Sequence, residues 1–245
     1  MLTAPLAALA LLTRVPVRRP FAKSDVAAAS IFFPIVGAIV GGLQAAVVQL
    51  LAPITTPLLA AAVSLGVATL VTGGLHVDGL ADVADGFGGG HSRVDALRIM
   101  RDPRIGSYGA AALIVVLLIR ATAISALVER NAFRAALLLA PLLGRWTVVA
   151  IAAALPYART DGGTGAIVDR IEPRHLLGAT GVAAALSYVV ARRMAVAGWT
   201  AALIAAALCG AASRRRIGGY TGDVLGAASE LTETAALVAA VAVRC

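Results

Sequence analysis

The stretch YGAAALIVVLLIRATAISALV, from Tyr108 to Val128, decides the fold of this chain. A helix needs about 20 mostly apolar residues to cross the roughly 30 Å hydrocarbon core of a membrane, and this stretch meets that requirement. Six further apolar stretches predict membrane spans at 31–51, 57–75, 133–154, 175–191, 195–213 and 224–243. We therefore expect an all-α, polytopic integral membrane bundle of about seven transmembrane helices with short cytoplasmic helices.

The composition agrees with a membrane protein. Hydrophobic residues make up 60% of the chain and charged residues 14%, whereas soluble domains average about 45–50% and about 25%. Residues 1–13 are also apolar, but arginines follow them instead of preceding them, which is the wrong order for a secretory signal. We expect 1–13 to form an interfacial helix and 1–245 to form a single membrane-embedded domain.

The basic residues of the loops are unevenly distributed. With seven spans, 14 of the 21 Lys and Arg residues lie in 1–30, 76–107, 155–174 and 214–223, and five lie on the other side. The positive-inside rule places the richer side in the cytoplasm. The net charge of +8 is therefore explained by topology, and no nucleic-acid partner is expected.

The stretch HVDGLADVADG, residues 76–86, is the most chemically informative part of the sequence. On a helix, Asp78, Asp82 and Asp85 fall on one face within about 60° of each other. Three like charges on one face repel, and clustered hard oxygen ligands suit Mg²⁺. We predict a Mg²⁺ site here. The alternative is a solvated acidic helix end, which the flanking glycines and histidine make less favourable.

A second polar segment follows in the same loop. Arg93 to Arg104 reads as a short helix that stops near Asp102, because Pro103 disfavours helix in the residue before it. Arg101 and Arg104 flank Asp102, and arginines opposite carboxylates fit a phosphate held between metal and guanidinium groups. The alternative is that these arginines anchor the loop at an anionic lipid surface.

Ionisable residues also occur inside the predicted spans. Asp223 and Glu230 lie two helical turns apart, with Glu230 about 10 Å into the last span. Charged side chains at that depth usually face a polar cavity, so we predict that Arg145 and Glu230 join the site. Asp223 is expected within about 10 Å of the acidic stripe. Arg120 could instead pair structurally with an acidic neighbour.

Several of these segments together resemble the cobalamin synthase family, the adenosylcobinamide-GDP ribazoletransferases, along nearly the whole chain. The hallmark is TGGLHVDGLAD at 72–82, and TGDVLGAASE at 221–230 is equally specific. Further matches are LTRVPVRR at 12–19, FPIVG at 33–37, IMRDPRIG at 99–106, Arg145 and YAR at 157–159. The departures are small: Pro103 stands where the family often has Ser, and 219–220 also differ.

The resemblance implies a membrane enzyme that joins adenosylcobinamide-GDP to α-ribazole, or to its 5′-phosphate, with Mg²⁺ and release of GMP. It implies that the 3′-hydroxyl of the ribazole displaces GMP at phosphorus. The residues expected to take part fall into three groups. Metal ligands would be Asp78, Asp82, Asp85 and Asp223; catalytic residues Arg101, Asp102, Arg104, Arg145 and either His76 or Glu230 as general base; cofactor-binding residues Arg159, Thr221 and Gly222.

Two other functions remain open at this point. One is a CDP-alcohol phosphotransferase acting on lipid, although the Ala-Arg that its signature requires does not follow Asp78-Gly79 at the right offset. The other is a transporter with Arg145 and Glu230 in its path, against which the clustered carboxylates of 76–107 argue. The lipid bilayer is an expected partner in each case, and a homo-oligomer is possible. The glycine-rich loop at 161–165 could cradle a nucleotide or serve as a plain connector.

Overall fold

The structure, a computed structural model, describes residues 3–17, 20–160 and 171–243, and within them the side chains of all but Lys23 and Ser24. Its helices, in chain order, are α1 (Thr3–Leu12), α2 (Lys23–Ala29), α3 (Phe33–Leu51), α4 (Pro57–Thr72), α5 (Leu75–Gly89), α6 (Arg93–Ile99), α7 (Ser107–Glu129), α8 (Phe133–Ala154), α9 (Pro173–Ile217) and α10 (Gly222–Ala242). A 3₁₀ turn, Ser30–Phe32, joins α2 to α3. The all-α prediction is confirmed for the described residues, and α6 ends at Ile99 rather than near Asp102.

The number of membrane crossings differs from the predicted seven when length and composition alone are used. Among the described residues, five helices are long and apolar enough to cross a membrane, or six if the bent pair α4 and α5 forms one crossing. The difference lies in α9, which is 45 residues long and covers both predicted spans 175–191 and 195–213. A straight helix of that length would be about 67 Å long, roughly twice the hydrocarbon core.

Contacts with Trp146 show that α9 is not straight. The Trp146 indole N–H donates to Thr180 Oγ1 at 2.9 Å, and its ring centroid lies 4.8 Å from that of Trp199. In a straight helix Thr180 and Trp199 would be about 28 Å apart. The backbone leaves helical geometry at Ala191 (φ −144°, ψ 32°), so α9 turns back there. We infer that α9 covers the two passes that the sequence predicts.

Helix α8 forms the centre of the bundle, because most of its residues are buried, whereas most residues of α9 are not. Small residues allow α3 to approach α8 closely. A β-carbon on Gly37 or Gly41 would lie 2.2 Å and 2.0 Å from the carbonyl oxygens of Pro141 and Leu137, respectively. Substitution of either glycine would force the two backbones apart.

The break between α4 and α5 positions the acidic motif. Gly73 (φ 70°) and Gly74 (φ 74°) both adopt the left-handed conformation, which glycine enters without steric penalty. Their N–H groups donate to Leu70 and Thr69, which ends α4. The two helices meet at 94°, so α5 runs across one end of the bundle instead of continuing the span.

The contacts define two ends of the bundle. At the first end, α5 lies beside the start of α7, and Arg93 donates to the Ala158 carbonyl at 3.0 Å. At the second end, Arg130, just after α7, donates to the Val241 carbonyl of α10 at 2.7 Å. We call the first the acidic end, after the carboxylates of α5, and the second the basic end, after a group of arginines. The names refer to these side chains and not to the net charge of the loops.

Candidate active site

A cavity of about 870 Å³ opens at the acidic end of the bundle. Asp78 and Asp82 of α5 form one part of its wall. The segment after α6 contributes Arg101 and Arg104 to the wall of the same cavity. The fold therefore brings the predicted carboxylates and the predicted arginines to one cavity large enough for a sizeable substrate.

Asp82 lies in an electrostatically unfavourable place. Burial, together with the nearby carboxylates of Asp78 and Asp223 and against the opposing effect of Arg159, raises the pKa of Asp82 to about 7. Burial and like charges both disfavour the ionised form of a carboxyl group. A cation at this position would remove that penalty.

Asp223 reaches the acidic stripe through close backbone contact between α10 and α5. A β-carbon on Gly79 would lie 2.7 Å from the Asp223 carbonyl oxygen and 3.0 Å from its Cα. Gly79 follows Asp78 directly, so the backbone of Asp223 packs against α5 beside the acidic stripe, and the expected distance of about 10 Å between carboxylates stays a prediction. In the part of the chain that the structure describes, Asp223 is not one of the cavity-lining residues.

The carboxylate of Asp223 is held by two of the predicted cofactor-binding residues. Arg159 donates to it at 2.9 Å and Thr221 donates to the same oxygen at 3.2 Å. The Thr221 hydroxyl also accepts from the Val224 N–H at 3.3 Å and caps α10, whose first residue is Gly222. Arg159 and Thr221 thus orient Asp223, and their direct contact with substrate stays a prediction.

Asp85 has a different environment from the other two carboxylates of the stripe. Its two oxygens accept the N–H groups of Gly106 at 2.7 Å and Gly109 at 2.8 Å, at the start of α7. A carboxylate at a helix N-terminus satisfies backbone donors that would otherwise lack partners. Asp85 thus ties α5 to the start of α7, and its role as a metal ligand stays a prediction.

Asp102 and Arg104 form a two-point pair at the cavity edge. Arg104 donates from Nε to one carboxylate oxygen at 2.9 Å and from Nη2 to the other at 2.7 Å. These bonds lower the pKa of Asp102 to about 2. The guanidinium of Arg104 is mostly exposed, so Asp102 orients it without burying it.

Arg145 and Glu230 belong to a buried ionic network of α7, α8 and α10, around a small cavity of about 20 Å³ that shares Thr72 and Val77 with the larger one. Arg120 pairs with both Glu230 and Glu233, and Arg145 pairs with Glu233. His76 Nδ1 lies 3.5 Å from Arg145 Nη2. We call these five residues the buried network. Inside the bundle the two arginines and two glutamates neutralise one another, and a part of Arg145, Glu230 and His76 in the reaction stays a prediction.

The residues on the cavity wall fit a magnesium ion that is completed by substrate. Among the described residues, no group of three or more His, Cys, Asp or Glu side chains is arranged as a metal site. Mg²⁺ usually takes one or two protein carboxylates together with waters and substrate phosphates, so a full protein cage is not required. Asp78 and Asp82 are two such carboxylates, and burial together with neighbouring carboxylates raises the pKa of Asp82, which a cation would offset.

Arg14 is a cavity residue that the sequence analysis did not propose for the site. It lines the same cavity, and its N–H donates to the Val71 carbonyl at 2.7 Å, beside the break between α4 and α5. Residues 12–19 are one of the segments that resemble the family, and this resemblance was the one sign in the sequence that Arg14 could belong to the site. Arg18 and Arg19, and the glycine-rich loop at 161–165, lie outside the described residues.

Comparison with known proteins agrees with the geometry. Residues 4–241 match the family described as cobalamin-5-phosphate synthase (CobS). The chain belongs to the cobalamin-5-phosphate synthase family. Two family segments, 72–82 and 99–106, supply much of the wall of the cavity, including its carboxylates and two of its arginines.

Individual relatives in this family share about two fifths of their residues with the chain. It is 39% identical over 246 residues to an adenosylcobinamide-GDP ribazoletransferase of Chlorobaculum tepidum, covering 96% of this chain and 93% of that protein. It is 45% identical to one of Chlorobium phaeovibrioides, with 82% of each chain covered, and 44% identical to one of Rhizobium etli, with 84% and 83% covered. No solved structure gives a significant match.

Proposed function

We propose that this chain is an adenosylcobinamide-GDP ribazoletransferase, which joins adenosylcobinamide-GDP to α-ribazole or its 5′-phosphate and releases GMP. The name borne by its family relatives supports this reaction. The observation that carries the proposal is the meeting of Asp78 and Asp82 with Arg101 and Arg104 at one cavity. Carboxylates that suit a cation, facing guanidinium groups, are suited to a pyrophosphate substrate.

The reaction is a displacement at phosphorus. The 3′-hydroxyl oxygen of the ribazole forms a bond to the phosphorus that carries the cobinamide, and the bond from that phosphorus to the GMP oxygen breaks. The hydroxyl proton passes to a base, and GMP leaves with the bonding electrons. Catalysis of this type depends on positioning and on stabilising negative charge.

Asp78 and Asp82 would hold Mg²⁺, with Asp223 behind them. A bound Mg²⁺ supplies charge neutralisation at the pyrophosphate and at the leaving phosphate. The chain contributes the position of these carboxylates, which Gly79 and the α5–α10 contact fix. Asp85, the third predicted ligand on α5, also accepts backbone N–H groups at the start of α7.

The arginines of the cavity would bind the phosphate oxygens. Arg101 and Arg104 lie on the segment after α6, and Arg14 lies beside the break between α4 and α5; all three line the cavity. One guanidinium group can donate two hydrogen bonds to a phosphate at once. Asp102 orients Arg104 for this contact. Asp102 is therefore proposed as a positioning residue.

We further propose that the acidic end faces the cytoplasm of a multi-pass protein in the cell membrane. The loops on that side carry 14 of the 21 basic residues, the asymmetry typical of cytoplasmic loops. Nucleotide-linked substrates would then reach the cavity from the compartment where nucleotides are made.

The decisive experiment is a product assay with the purified full chain in detergent or liposomes. Adenosylcobinamide-GDP, α-ribazole and Mg²⁺ are supplied together, and GMP and the cobalamin product are quantified chromatographically. We expect equimolar GMP and cobalamin, and loss of both when Mg²⁺ is chelated. GMP release that does not depend on α-ribazole, or no turnover by folded protein, would overturn the proposal.

A further inference from the structure

A groove of about 430 Å³ lies at the basic end of the bundle, away from the candidate active site. Four arginines line it: Arg130, Arg134, Arg192 and Arg193. We call it the arginine groove. Helix α7, 23 residues and about 33 Å long, separates it from the acidic end. Its function is therefore distinct from the chemistry proposed above.

The clustering of these arginines is unusual for the end on which they lie. The sequence places only five basic residues on this side, and four of them gather at the groove. They come from different segments: Arg130 and Arg134 from the α7–α8 connection, Arg192 and Arg193 from the reversal of α9. The fold thus brings arginines that are far apart in the sequence together at one groove.

The positive charge of the groove is not neutralised by the protein residues that the structure describes. None of the four arginines forms an ion pair with a described carboxylate, and the groups to which Arg130, Arg134 and Arg192 donate are neutral. Arg130 donates to the Val241 carbonyl, and Arg134 donates to Asn131 Oδ1 at 3.1 Å. Arg192 donates to the Tyr188 hydroxyl at 2.6 Å. These bonds orient the guanidinium groups and leave their net charge uncompensated.

The groove borders a surface suited to lipid chains. Val189 lines it and is 76% exposed, and Tyr188 beside it is 61% exposed. Both lie at the end of the first pass of α9, where a mostly exposed apolar surface faces the bilayer. Basic pockets between transmembrane helices next to apolar surface are suited to anionic lipid head groups. A soluble anion would use the arginines but not this apolar border.

We propose that the arginine groove binds the phosphate head group of an anionic phospholipid, whose acyl chains lie along the exposed face of α9 at Val189. The guanidinium groups of Arg192 and Arg193 donate to the phosphate oxygens. Arg130 and Arg134 complete the positive field. The bound lipid would hold the reversal of α9 against the α7–α8 connection.

The test compares purified full-length proteins in a neutral detergent. Native mass spectrometry counts retained phosphatidylglycerol, and thermal unfolding is followed with added phosphatidylglycerol, phosphatidylcholine or glycerol phosphate. The test variant is R192A/R193A, and the matched control is R214A/R215A, which removes two exposed arginines from the other end of the same helix. R192K/R193K keeps the charge and serves as the rescue variant.

We expect wild type, R214A/R215A and R192K/R193K to retain phosphatidylglycerol and to be stabilised by it more than by phosphatidylcholine. R192A/R193A should retain at least about tenfold less phosphatidylglycerol than wild type. It should elute from a size-exclusion column at the same volume as wild type. If R192A/R193A does not fold, single R193A is expected to show a smaller loss of the same kind. Equal retention in R193A and the control, or equal stabilisation by glycerol phosphate, would overturn the proposal.

Discussion

At the scale of the residue, Asp82 bears the strongest electrostatic conflict among the carboxylates on the cavity wall. It is partly buried, it lies near Asp78 and Asp223, and its pKa is raised to about 7. A carboxylate in such surroundings is stabilised by a bound cation. A neutral side chain of the same shape would relieve the conflict without serving as a strong metal ligand.

We therefore expect Asp82→Asn to fold normally and to lower turnover at least about 100-fold, because metal charge stabilisation is worth several kcal/mol. The measurement is GMP release at increasing Mg²⁺, with the half-saturating Mg²⁺ concentration shifted upward. Asp95→Asn is the matched control, since Asp95 lies on exposed α6, where Ser92 donates to it. Full Mg²⁺-dependent turnover in Asp82→Asn would contradict the role of this residue.

The pKa of Asp102 is shifted in the opposite direction to that of Asp82, and this gives a prediction about pH dependence. Its pKa is lowered to about 2 by the hydrogen bonds from Arg104, so its contribution is present above the ordinary value of about 3.9 and is lost only as pH falls through about 2. Asp102→Asn should raise the KM for adenosylcobinamide-GDP several-fold and leave the shape of the pH–rate profile between about pH 5 and 9 unchanged. A profile whose acidic limb disappears in this variant would assign Asp102 a proton-transfer role instead.

At the scale of the element, α5 is the part that the rest of the bundle positions. The left-handed glycines 73 and 74 turn it across the acidic end, Asp85 ties it to α7, and Gly79 lets α10 approach it. These three contacts set where Asp78 and Asp82 lie. A small change at one of them should therefore affect turnover without touching a carboxylate.

Gly79→Ala supplies that test. The added methyl group would meet the Asp223 backbone at 2.7 Å, and overpacking of this kind costs about 1–3 kcal/mol. We expect lower thermal stability and a larger loss of turnover than of substrate binding. Gly89→Ala, on the same helix, is the control, because its nearest atom is Ile99 Cδ1 at 3.7 Å. Equal behaviour of the two variants would show that the close α5–α10 contact is not needed.

The buried network provides a second prediction at this scale. Removing one partner of a buried ion pair leaves an uncompensated charge and costs about 3–5 kcal/mol. Arg120→Met should therefore destabilise strongly, because Glu230 and Glu233 then face Arg145 alone. In Arg120→Met/Glu230→Gln the charges balance again, and we expect part of the stability to return. Strictly additive losses in a double-mutant cycle of thermal unfolding would contradict this coupling.

At the scale of the whole molecule, the helices place the cavity and the arginine groove at opposite ends. If the acidic end is cytoplasmic, Ser92 and Glu129, both exposed, lie on opposite sides of the membrane. Both positions are therefore accessible to a thiol-labelling reagent once cysteine is introduced. Ser213, also on the side of the acidic end, is buried and donates to the Gly219 carbonyl, so it is a poor position for such labelling.

We expect Ser92→Cys to react with an impermeant maleimide only after the cells are permeabilised, and Glu129→Cys to react in intact cells. Both variants are made in a background in which Cys209 and Cys245 are replaced by serine, so that the introduced thiol is the sole target. Labelling of Ser92→Cys in intact cells would reverse the proposed orientation.

The sequence by itself determined the helical membrane fold, the family and the acidic motif. Long apolar runs fix a helix in a bilayer because every backbone polar group must be bonded within the segment. The face shared by Asp78 and Asp82, and the proximity of Asp223, follow from helical spacing and from the family segments. The two predicted passes within α9 could be placed for the same reason, although the chain there leaves helical geometry only at Ala191.

Only the tertiary structure decided how the charges are divided. Asp85 and Asp82 share a face of α5, yet the former accepts N–H groups of α7 and the latter lines the cavity. Arg145 and Glu230 were predicted as site residues because of their depth, and the structure pairs them with Arg120 and Glu233 in one buried network. A charge in a low-dielectric interior takes the nearest opposite charge, and which one is nearest depends on helix packing, which local spacing does not encode.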